Sequence, residues 1–234
     1  MTRSPLVGIR PEPGLSKTIA RGHNMGLEVL GFPLFRAVPS AWDAPDPAGF
    51  DGLLLGSANA LRHGGTGLGR YKALPVYAVG EETAAATRDL GLVVRASGRG
   101  GLQALLDNLP KAAPGEQLRL LRLAGAAHVP LDPHPGIEIT TRVVYTVEAL
   151  PLPYELRAIL EDRATVLLHS GEAAAHFAAQ CDAAAVPRNR IALAALAPRV
   201  AERAGQGWRR VVAAPSPDDA ALLAAAVDLC QDGG

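Results

Sequence analysis

The stretch Gly52-Leu-Leu-Leu-Gly-Ser-Ala-Asn-Ala-Leu61 has a counterpart later in the chain, Thr165-Val-Leu-Leu-His-Ser-Gly-Glu-Ala-Ala174. In both, a short apolar run ends at a turn that contains a serine, and a segment of helical composition follows. A strand that leads through a tight turn into a helix is the unit from which parallel α/β sheets are built. The two stretches therefore predict an α/β protein in which this unit recurs.

The order of signals on either side of the two stretches also repeats. Further pairs match in the same order along the chain: Val7–Arg10 with Leu120–Leu123, Leu27–Pro39 with Ile137–Pro151, Tyr77–Ala84 with Ala194–Ala201, and Val93–Val94 with Val211–Val212. A repeated series of strands and helices is typical of a duplicated structural unit. We therefore expect two similar halves, each built from about half of the 234 residues.

Apolar runs and Ala/Leu-rich stretches alternate through the whole chain. The apolar runs predict strands at Leu6–Ile9, Leu53–Leu55, Val76–Val79, Leu92–Val94, Leu118–Leu123, Ile137–Tyr145, Val166–Leu168, Ile191–Leu196 and Val211–Ala213. Helices are predicted between them at Leu15–Met25, Ala58–His63, Glu82–Leu90, Leu102–Asn108, Ala173–Cys181, Arg199–Ala204 and Asp218–Leu229. This alternation favours mostly parallel sheets covered by helices on both faces.

Two extended segments predict how the halves are connected. The segments around Phe32–Pro39 and Val143–Pro151 read as bridges, so the chain is expected to cross twice between two domains. Two crossings imply a discontinuous domain, residues 1–36 plus 148–234, and an inserted domain, residues 37–147. Two domains on a two-strand hinge leave a cleft, which is the expected place for a ligand.

Composition restricts the class of protein and the kind of partner. Hydrophobic residues make up 48% of the chain and charged residues 20%, which is typical of a globular protein. Lys+Arg and Asp+Glu both number 23, and this balance indicates neither a nucleic-acid partner nor an anionic membrane. The sequence begins without an apolar signal segment, so we expect a cytoplasmic protein. The cysteines, Cys181 and Cys230, are expected to be buried thiols and not a disulfide.

Four turns each follow a predicted strand and precede a predicted helix. They are Gly56–Asn59, Val79–Thr83, His169–Glu172 and Ala197–Arg199. In open α/β sheets a ligand binds beyond the carboxyl ends of the strands, where unpaired backbone N–H groups and the positive helix end attract anions. These turns are therefore candidate anion-binding sites. The alternative is that Ser57, Thr83 and Ser170 only cap their helices.

Common catalytic and nucleotide-binding motifs are missing from the sequence. No Gly-x-Gly-x-x-Gly follows the first strand, no phosphate-binding Gly-x-x-x-x-Gly-Lys occurs, and neither serine turn is Gly-x-Ser-x-Gly. His128 and His134 share a proline-rich segment but lack further ligands at metal spacing. His169 either contacts a ligand or has a capping or packing role. Arg99 is expected to be a solvated loop charge.

Tyr145 is the side chain with the clearest candidate chemical role. It lies on the second bridging segment, which is expected to face the cleft. A tyrosine hydroxyl on a rigid ring can protonate or hydrogen-bond a departing group. The alternative is a tyrosine that packs at the hinge with its hydroxyl in water.

The series of motifs resembles the uroporphyrinogen-III synthase family across essentially the whole chain. The segments that carry the resemblance are Ile9–Pro11, Gly31–Phe35, Phe50–Ala60, Ala78–Ala84, Val144–Thr146, Leu168–Glu172 and Gly207–Ser216. Ile9–Pro11 is similar to the family's Thr-Arg-Pro, and Phe50–Ala60 to its Asp-Trp-aliphatic-Phe-Thr-Ser-x-Asn-Ala. The ordered set of segments, more than any single one, is specific to the family.

The resemblance implies a fold and a reaction. The implied fold is two Rossmann-like (flavodoxin-like) α/β domains with parallel sheets, joined by a two-strand hinge with the ligand cleft between them. The implied activity is that of a hydro-lyase of tetrapyrrole biosynthesis. It cyclises hydroxymethylbilane, a linear tetrapyrrole with many carboxylates, with inversion of ring D and loss of water. The resemblance also implies that no metal or organic cofactor is needed. Nothing in the sequence requires more than a monomer, and a transient contact with hydroxymethylbilane synthase is a further expectation.

The resemblance assigns roles to individual residues as well. Tyr145 is implied to be catalytic and to assist loss of the hydroxyl group, and Arg10 to lie at the edge of the cleft. The substrate-binding residues that it implies are Arg10, Ser57, Ala58, Asn59, Glu82, Thr83, Ser170, Gly171, Glu172, Pro198 and Arg199.

The chain departs from the family pattern at its turns. Gly56 and His169 stand where the family has a threonine before its serine. Ala197 and Val200 replace the glycine and threonine of a late Ile-Gly-x-x-Thr-Ala pattern, and Ala197 is expected to restrict the backbone there. These departures leave one alternative function, a non-catalytic two-domain binding or sensor protein for an anionic ligand.

A further departure lies between Arg122 and Ile137. Pro130, Pro133 and Pro135 fall where a helix is expected after the strand Leu118–Leu123. Proline interrupts a helix because it lacks the backbone N–H and crowds the preceding turn. We therefore expect this helix to be shortened or broken.

Overall fold

The computed structural model describes residues 4–109 and 116–231 of the chain. The chain divides into two compact units. Unit 1 contains the described residues up to Arg36 and those from Glu148 onward, and unit 2 is Ala37–Val147. None of the described helices is long and apolar enough to cross a lipid bilayer.

Strands and helices alternate along the described residues. The strands are β1 (Leu6–Gly8), β2 (Val29–Gly31), β3 (Phe35–Pro39), β4 (Gly52–Leu55), β5 (Val76–Val79), β6 (Val94–Gly98), β7 (Leu118–Gly125), β8 (Ile137–Ala149), β9 (Ala164–Leu168), β10 (Ile191–Ala195) and β11 (Arg210–Ala213). The α-helices are α1 (Gly14–Asn24), α2 (Asn59–His63), α3 (Glu81–Asp89), α4 (Leu102–Asp107), α5 (Tyr154–Glu161), α6 (Gly171–Ala183), α7 (Pro198–Arg203) and α8 (Asp219–Gln231). The chain passes from one unit to the other within β3 and again within β8.

Unit 1 is a parallel sheet with the strand order β2-β1-β9-β10-β11. Numbered along the unit, this is the order 2-1-3-4-5 of flavodoxin-like folds. Every residue of β9 and β10 is buried, as expected for central strands with helices on both faces. Alternate residues face two apolar clusters, so that Val166 packs with Phe177 on one face and Leu167 with Leu222 on the other.

Unit 2 repeats this arrangement in permuted form. Its sheet has the order β3-β8-β7-β4-β5-β6, and the pairs from β8 to β6 are parallel. The series β8-β7-β4-β5-β6 has the same spatial order as β2-β1-β9-β10-β11. The chain repeat therefore corresponds to a structural repeat, and the predicted fold class, two similar α/β units with parallel sheets, is confirmed.

The proline-rich segment between β7 and β8 contains no helix at all, where a shortened or broken one was expected. In unit 1 the corresponding connection, between β1 and β2, contains α1. Arg122 on β7 fills part of the space under this segment, because its Nη1 donates to the carbonyl oxygen of Val129 at 2.9 Å. A side chain of the sheet thus contacts this connection, where unit 1 has a helix.

Two elements differ from the prediction. The strand predicted at Leu92–Val94 is wrong in position, since β6 is Val94–Gly98. After α3, Gly91 takes a left-handed φ of 75°, and the N–H of Leu92 donates to Thr87 O at 3.1 Å, so Leu92 belongs to the end of the helix. Helix α5 was not predicted, although Leu156 and Leu160, one turn apart, form its buried face.

Candidate functional site

Tyr145 lies at the carboxyl edge of the unit 2 sheet, where a β-bulge at Val144 of β8 shifts the pairing, so that Ala124 of β7 pairs with Val143 and Gly125 with Tyr145. Bulges of this kind redirect a side chain next to functional sites. The half-buried ring lies over Gly125: a Cβ placed on that residue would be 2.7 Å from Tyr145 Cζ and 2.9 Å from its hydroxyl oxygen. Only glycine at position 125 therefore leaves room for the ring.

His63, the last residue of α2, is the neighbour of Tyr145 that sequence reasoning missed. The two ring centroids are 6.0 Å apart, with the ring planes at 35°. Burial, and then the nearby charge of Arg62, lower the pKa of His63 below its ordinary value, so the imidazole is uncharged at neutral pH. Within the described part of the chain, the hydroxyl of Tyr145 has no hydrogen-bond partner. Its proton is therefore available to a bound molecule.

The first serine turn of unit 2 is linked to the start of α3. Ser57 Oγ accepts a hydrogen bond from Asn59 N at 3.2 Å, although the N-cap position of α2 belongs to Ala58, which is buried. Arg62 Nη1 donates to Asn59 Oδ1 (3.0 Å) and its Nη2 to Glu82 Oε1 (3.1 Å). Arg62 thereby brings two of the predicted turns together and offsets the charge of Glu82.

Thr83 is buried in the first turn of α3, with 4% of its surface exposed. Its side chain is therefore packed inside the unit, and the first turn presents its backbone N–H groups. Glu81 and Glu82 in the same turn are exposed carboxylates, which oppose an anion. Arg88 pairs with Glu81 at 2.7 Å, as Arg62 does with Glu82.

In unit 1 the second serine turn and the start of α7 line one open cavity. Its volume is about 660 Å³, and it is lined by Gly171, Glu172, Arg199, Glu202 and Arg203. Ser170 caps α6, since its Oγ accepts from Ala173 N at 3.1 Å. The stem of Arg203 lies against Gly171, where a Cβ would be 2.8 Å from Arg203 Cγ. The structure therefore adds a second arginine, missed in the sequence, to the predicted Arg199.

The start of α7 does not need the glycine of the family pattern. Ala197 has a φ of −158°, which is extended backbone that any residue adopts, so alanine is accommodated there without strain. Pro198 occupies the first helical position. A backbone N–H at this position has no partner within the helix, so proline sacrifices no hydrogen bond there. Pro198 and Arg199 are exposed, whereas Val200 packs into the core.

Four side chains meet at the carboxyl edge of the unit 1 sheet, and we call them the Asp219 cluster: Arg10, Thr18, His169 and Asp219. Asp219 Oδ1 accepts from His169 Nε2 at 2.8 Å and from Arg10 Nη1 at 3.3 Å. Its Oδ2 accepts from Thr18 Oγ1 at 2.9 Å. The hydrogen bond from His169, above all, lowers the pKa of Asp219 from 3.8 to about 2.

Asp219 and Thr18 were not predicted as site residues. The signal for Asp219 was its place at the start of the predicted helix Asp218–Leu229, since the first residues of such helices lie at the carboxyl edge of a parallel sheet. His169 has a hydrogen-bonding role inside the cluster. Arg10, expected at the edge of a cleft, is half-buried and held by the cluster.

The other residues considered in the sequence are Arg99, two histidines and two cysteines. Arg99 is exposed next to the end of β6. His128 is exposed and His134 is half-buried, and they are hydrogen-bonded to the carbonyl oxygens of Gly125 and Pro135, respectively. Among residues 4–109 and 116–231, no group of His, Cys, Asp and Glu is arranged to hold a metal ion. Cys181 and Cys230 are buried thiols outside any disulfide, as predicted.

Comparisons with family models and with solved structures found similar proteins. A family model described as "Uroporphyrinogen-III synthase HemD" matches residues 16–224. The crystal structure of uroporphyrinogen-III synthetase from Helicobacter pylori 26695 is 17% identical, with a TM-score of 0.62, over 97% of this chain and 100% of that chain. A uroporphyrinogen III synthase structure from the extremely thermophilic bacterium Thermus thermophilus is also 17% identical over 97% of each chain, with a TM-score of 0.39. No curated protein sequence matches the chain.

Proposed function

The chain belongs to the uroporphyrinogen-III synthase family, and we propose that it cyclises hydroxymethylbilane to uroporphyrinogen III with inversion of ring D and loss of water. In this proposal the protein is a hydro-lyase that needs no metal or organic cofactor. The observation that carries it is Tyr145, whose hydroxyl has no partner among the described residues and whose ring is directed by a bulge across Gly125.

Tyr145 supplies the proton that the reaction needs. Loss of the substrate's hydroxymethyl oxygen as water requires a donor within hydrogen-bond distance of that oxygen. A phenol is such a donor, and at Tyr145 no acceptor in the described part of the chain competes for its proton. The uncharged His63 beside it adds no positive charge that would repel the cation developing on the substrate.

The turns of each unit bind the carboxylates of the substrate. Because the chain has a net charge of zero, attraction must come from local groups. In unit 1 the groups that attract the carboxylates are the capped start of α6, the arginines of the adjoining cavity, and Arg10 in the Asp219 cluster. In unit 2 they are the turn of Ser57, Ala58 and Asn59 and the start of α3. The binding residues are Arg10, Ser57, Ala58, Asn59, Glu82, Thr83, Ser170, Gly171, Glu172, Pro198 and Arg199.

Glu82 and Glu172 bind through their backbone N–H groups. Both are residues in the first turns of α3 and α6, where the positive end of the helix attracts an anion. Their own carboxylates repel the substrate, and Arg62 compensates for this at Glu82. The positioning of the flexible bilane, more than any reactive cluster, accounts for the choice of isomer.

We also propose that the protein works as a cytoplasmic monomer and receives its substrate directly from hydroxymethylbilane synthase. Hydroxymethylbilane closes unaided to the type I isomer, so a short transfer favours the type III product. The two buried thiols, Cys181 and Cys230, support a reducing compartment.

The product isomer tests the proposed function. Hydroxymethylbilane is generated in place, the protein is added, and the oxidised porphyrins are separated into types I and III. We expect mainly type III with the protein and type I in the same mixture without it. Type I at the unaided rate in both mixtures contradicts the enzymatic proposal and leaves a non-catalytic binding protein.

A further inference from the structure

We propose that Asp219 and His169 form a positioning pair that fixes the guanidinium of Arg10 to bind a substrate carboxylate. The inference rests on the proposed function for the identity of the substrate. It gives a role to two residues that neither the family resemblance nor the turn motifs assign, and it explains why a histidine stands at position 169, where the family pattern has threonine.

Asp219 is the centre of the arrangement because both of its oxygens are occupied. Oδ1 accepts from His169 Nε2 and Arg10 Nη1, and Oδ2 accepts from Thr18 Oγ1. Thr18 is fully buried and its hydroxyl also contacts Gly14 O at 3.2 Å, so this side of the carboxylate is anchored to α1. The carboxylate therefore joins the ends of β1 and β9 to two helices.

Among the described residues, His169 is held by Asp219 alone. A carboxylate only accepts hydrogen bonds, so Nε2 of His169 must carry the proton in the bond to Asp219. The other ring nitrogen, Nδ1, is buried and has no partner in the described structure. The side chain is 7% exposed, so loss of Asp219 leaves both nitrogens of a buried ring without a partner.

Arg10 keeps one edge of its guanidinium for a ligand. Its hydrogen bonds to Thr18 and Asp219 both use Nη1, and the side chain is 31% exposed. Nε and Nη2 are not among the buried atoms that lack a partner, so this edge can reach solvent. The Nε–Nη2 edge is one that binds a carboxylate through two parallel hydrogen bonds.

Gly14 sets the position of that edge. A Cβ on Gly14 would be 2.5 Å from Arg10 Nε and 2.7 Å from Nη2. The guanidinium thus lies across the first residue of α1, where the positive end of the helix adds to its own charge. Glu12, which precedes α1, is engaged by the N–H and hydroxyl of Ser16 at 3.1 and 2.9 Å.

Gly14→Ala separates positioning from stability. Alanine favours a helix more than glycine does, so the substitution should not weaken α1. It must, however, displace the end of the Arg10 side chain. The variant is therefore expected to keep the unfolding temperature of the wild type and to lose substrate affinity.

The test compares Gly14→Ala and Asp219→Asn with Glu148→Gln, which removes the carboxylate of an exposed ion pair with Arg36 in the same unit. For the first two variants we expect KM to rise roughly tenfold with kcat within about twofold, since a charge-assisted hydrogen bond is lost in ground and transition state alike. Glu148→Gln should leave both constants within about twofold. An unchanged KM in Gly14→Ala overturns the proposal. So does a fall of kcat in Asp219→Asn by the same factor as its KM rises.

Two further measurements do not require turnover. Binding of uroporphyrin, an octacarboxylate, followed by its fluorescence, should weaken roughly tenfold in the same two variants. Nitrogen NMR of wild-type protein should show His169 with a proton on Nε2, and a neutral ring protonated only on Nδ1 overturns the pair. If wild-type protein yields only type I product but binds uroporphyrin with this pattern, the proposed function fails while the positioning pair stands. If uroporphyrin does not bind either, both fail.

Discussion

The ring of Tyr145 lies so close over Gly125 that a single added carbon on the glycine would be 2.7 Å from Cζ of the tyrosine. The two residues face each other across β7 and β8 at the bulge, and the glycine determines where the hydroxyl is directed. Because a small misplacement of a catalytic group costs much of its rate, this contact links a backbone feature to the proposed chemistry.

Gly125→Ala is expected to displace Tyr145 and to lower kcat for type III product by at least about tenfold. The cost in unfolding free energy should be about 1–3 kcal/mol, typical of overpacking. Gly49→Ala in the same unit is the control, since a Cβ there meets nothing within 4 Å. Equal kcat values for the two variants would show that Tyr145 does not need its observed position.

Asp219 is expected to give the folded state a stability that is lost in acid. Its pKa is lowered from 3.8 to about 2, so the contribution is complete above about pH 4 and disappears as the pH falls towards 2. The shift corresponds to about 2 kcal/mol. Urea unfolding of wild type and Asp219→Asn is measured at about pH 4 and at about pH 2. The difference in unfolding free energy between the two proteins should be smaller at the lower pH by about 2 kcal/mol. Asp228→Asn on the exposed face of α8 is the control, and a difference that stays constant with pH contradicts the account.

Local sequence predicts some parts of the site and not others. The turn at Ser170 was predicted because a strand, a cap and a helix are encoded by adjacent residues. The bond between His169 and Asp219 joins residues 50 positions apart, and no local pattern says which turns of a sheet edge meet. Likewise, the end of α2 was predicted at His63, but its contact with Tyr145 depends on strand order and on the bulge.

The same distinction applies to the fold. Both sheets were predicted because alternating strands and helices favour a parallel arrangement, and the chain repeat indicated a structural one. The position of β6 was not predicted, because Val93 and Val94 have equal β propensity. Gly91 takes a left-handed φ at the end of α3, and Leu92 is therefore buried at the helix end before the strand begins. Helix α5 has a clear apolar face in Leu156 and Leu160, but its flanking prolines favour a loop.

Arg122→Met is expected to leave the unfolding free energy unchanged or raise it by up to about 2 kcal/mol. The Arg122 side chain is 5% exposed, burial lowers its pKa, its Nε has no partner, and no carboxylate among the described residues pairs with it. Arg119→Met on the same strand is the comparison, because Arg119 pairs with Asp51 at 3.1 Å, and it should cost up to about 1 kcal/mol. A larger loss of unfolding free energy in urea for Arg122→Met than for Arg119→Met would contradict this expectation. It would show that the bond to Val129 O stabilises the proline-rich segment.

Cys181 is expected to resist thiol reagents while the protein is folded. Burial raises its pKa to about 12, so almost no thiolate forms under mildly alkaline conditions. Modification by a disulfide reagent such as DTNB should be slow in the native state and complete in concentrated guanidinium chloride. Rapid native modification of Cys181, located by peptide mass, would show that α6 opens far more readily than its buried face indicates.

The most direct test of the central claim is the rate of type III formation by Tyr145→Phe. Tyr77→Phe is the matched control, because Tyr77 also lies over a glycine of the same sheet, with Cε2 at 2.8 Å from a Cβ placed on Gly52. Loss of a proton donor is expected to lower kcat about a hundredfold in Tyr145→Phe and to shift the product towards type I, with little change in Tyr77→Phe. Equal rates and equal isomer ratios for the two variants would contradict the role of Tyr145 as the proton donor.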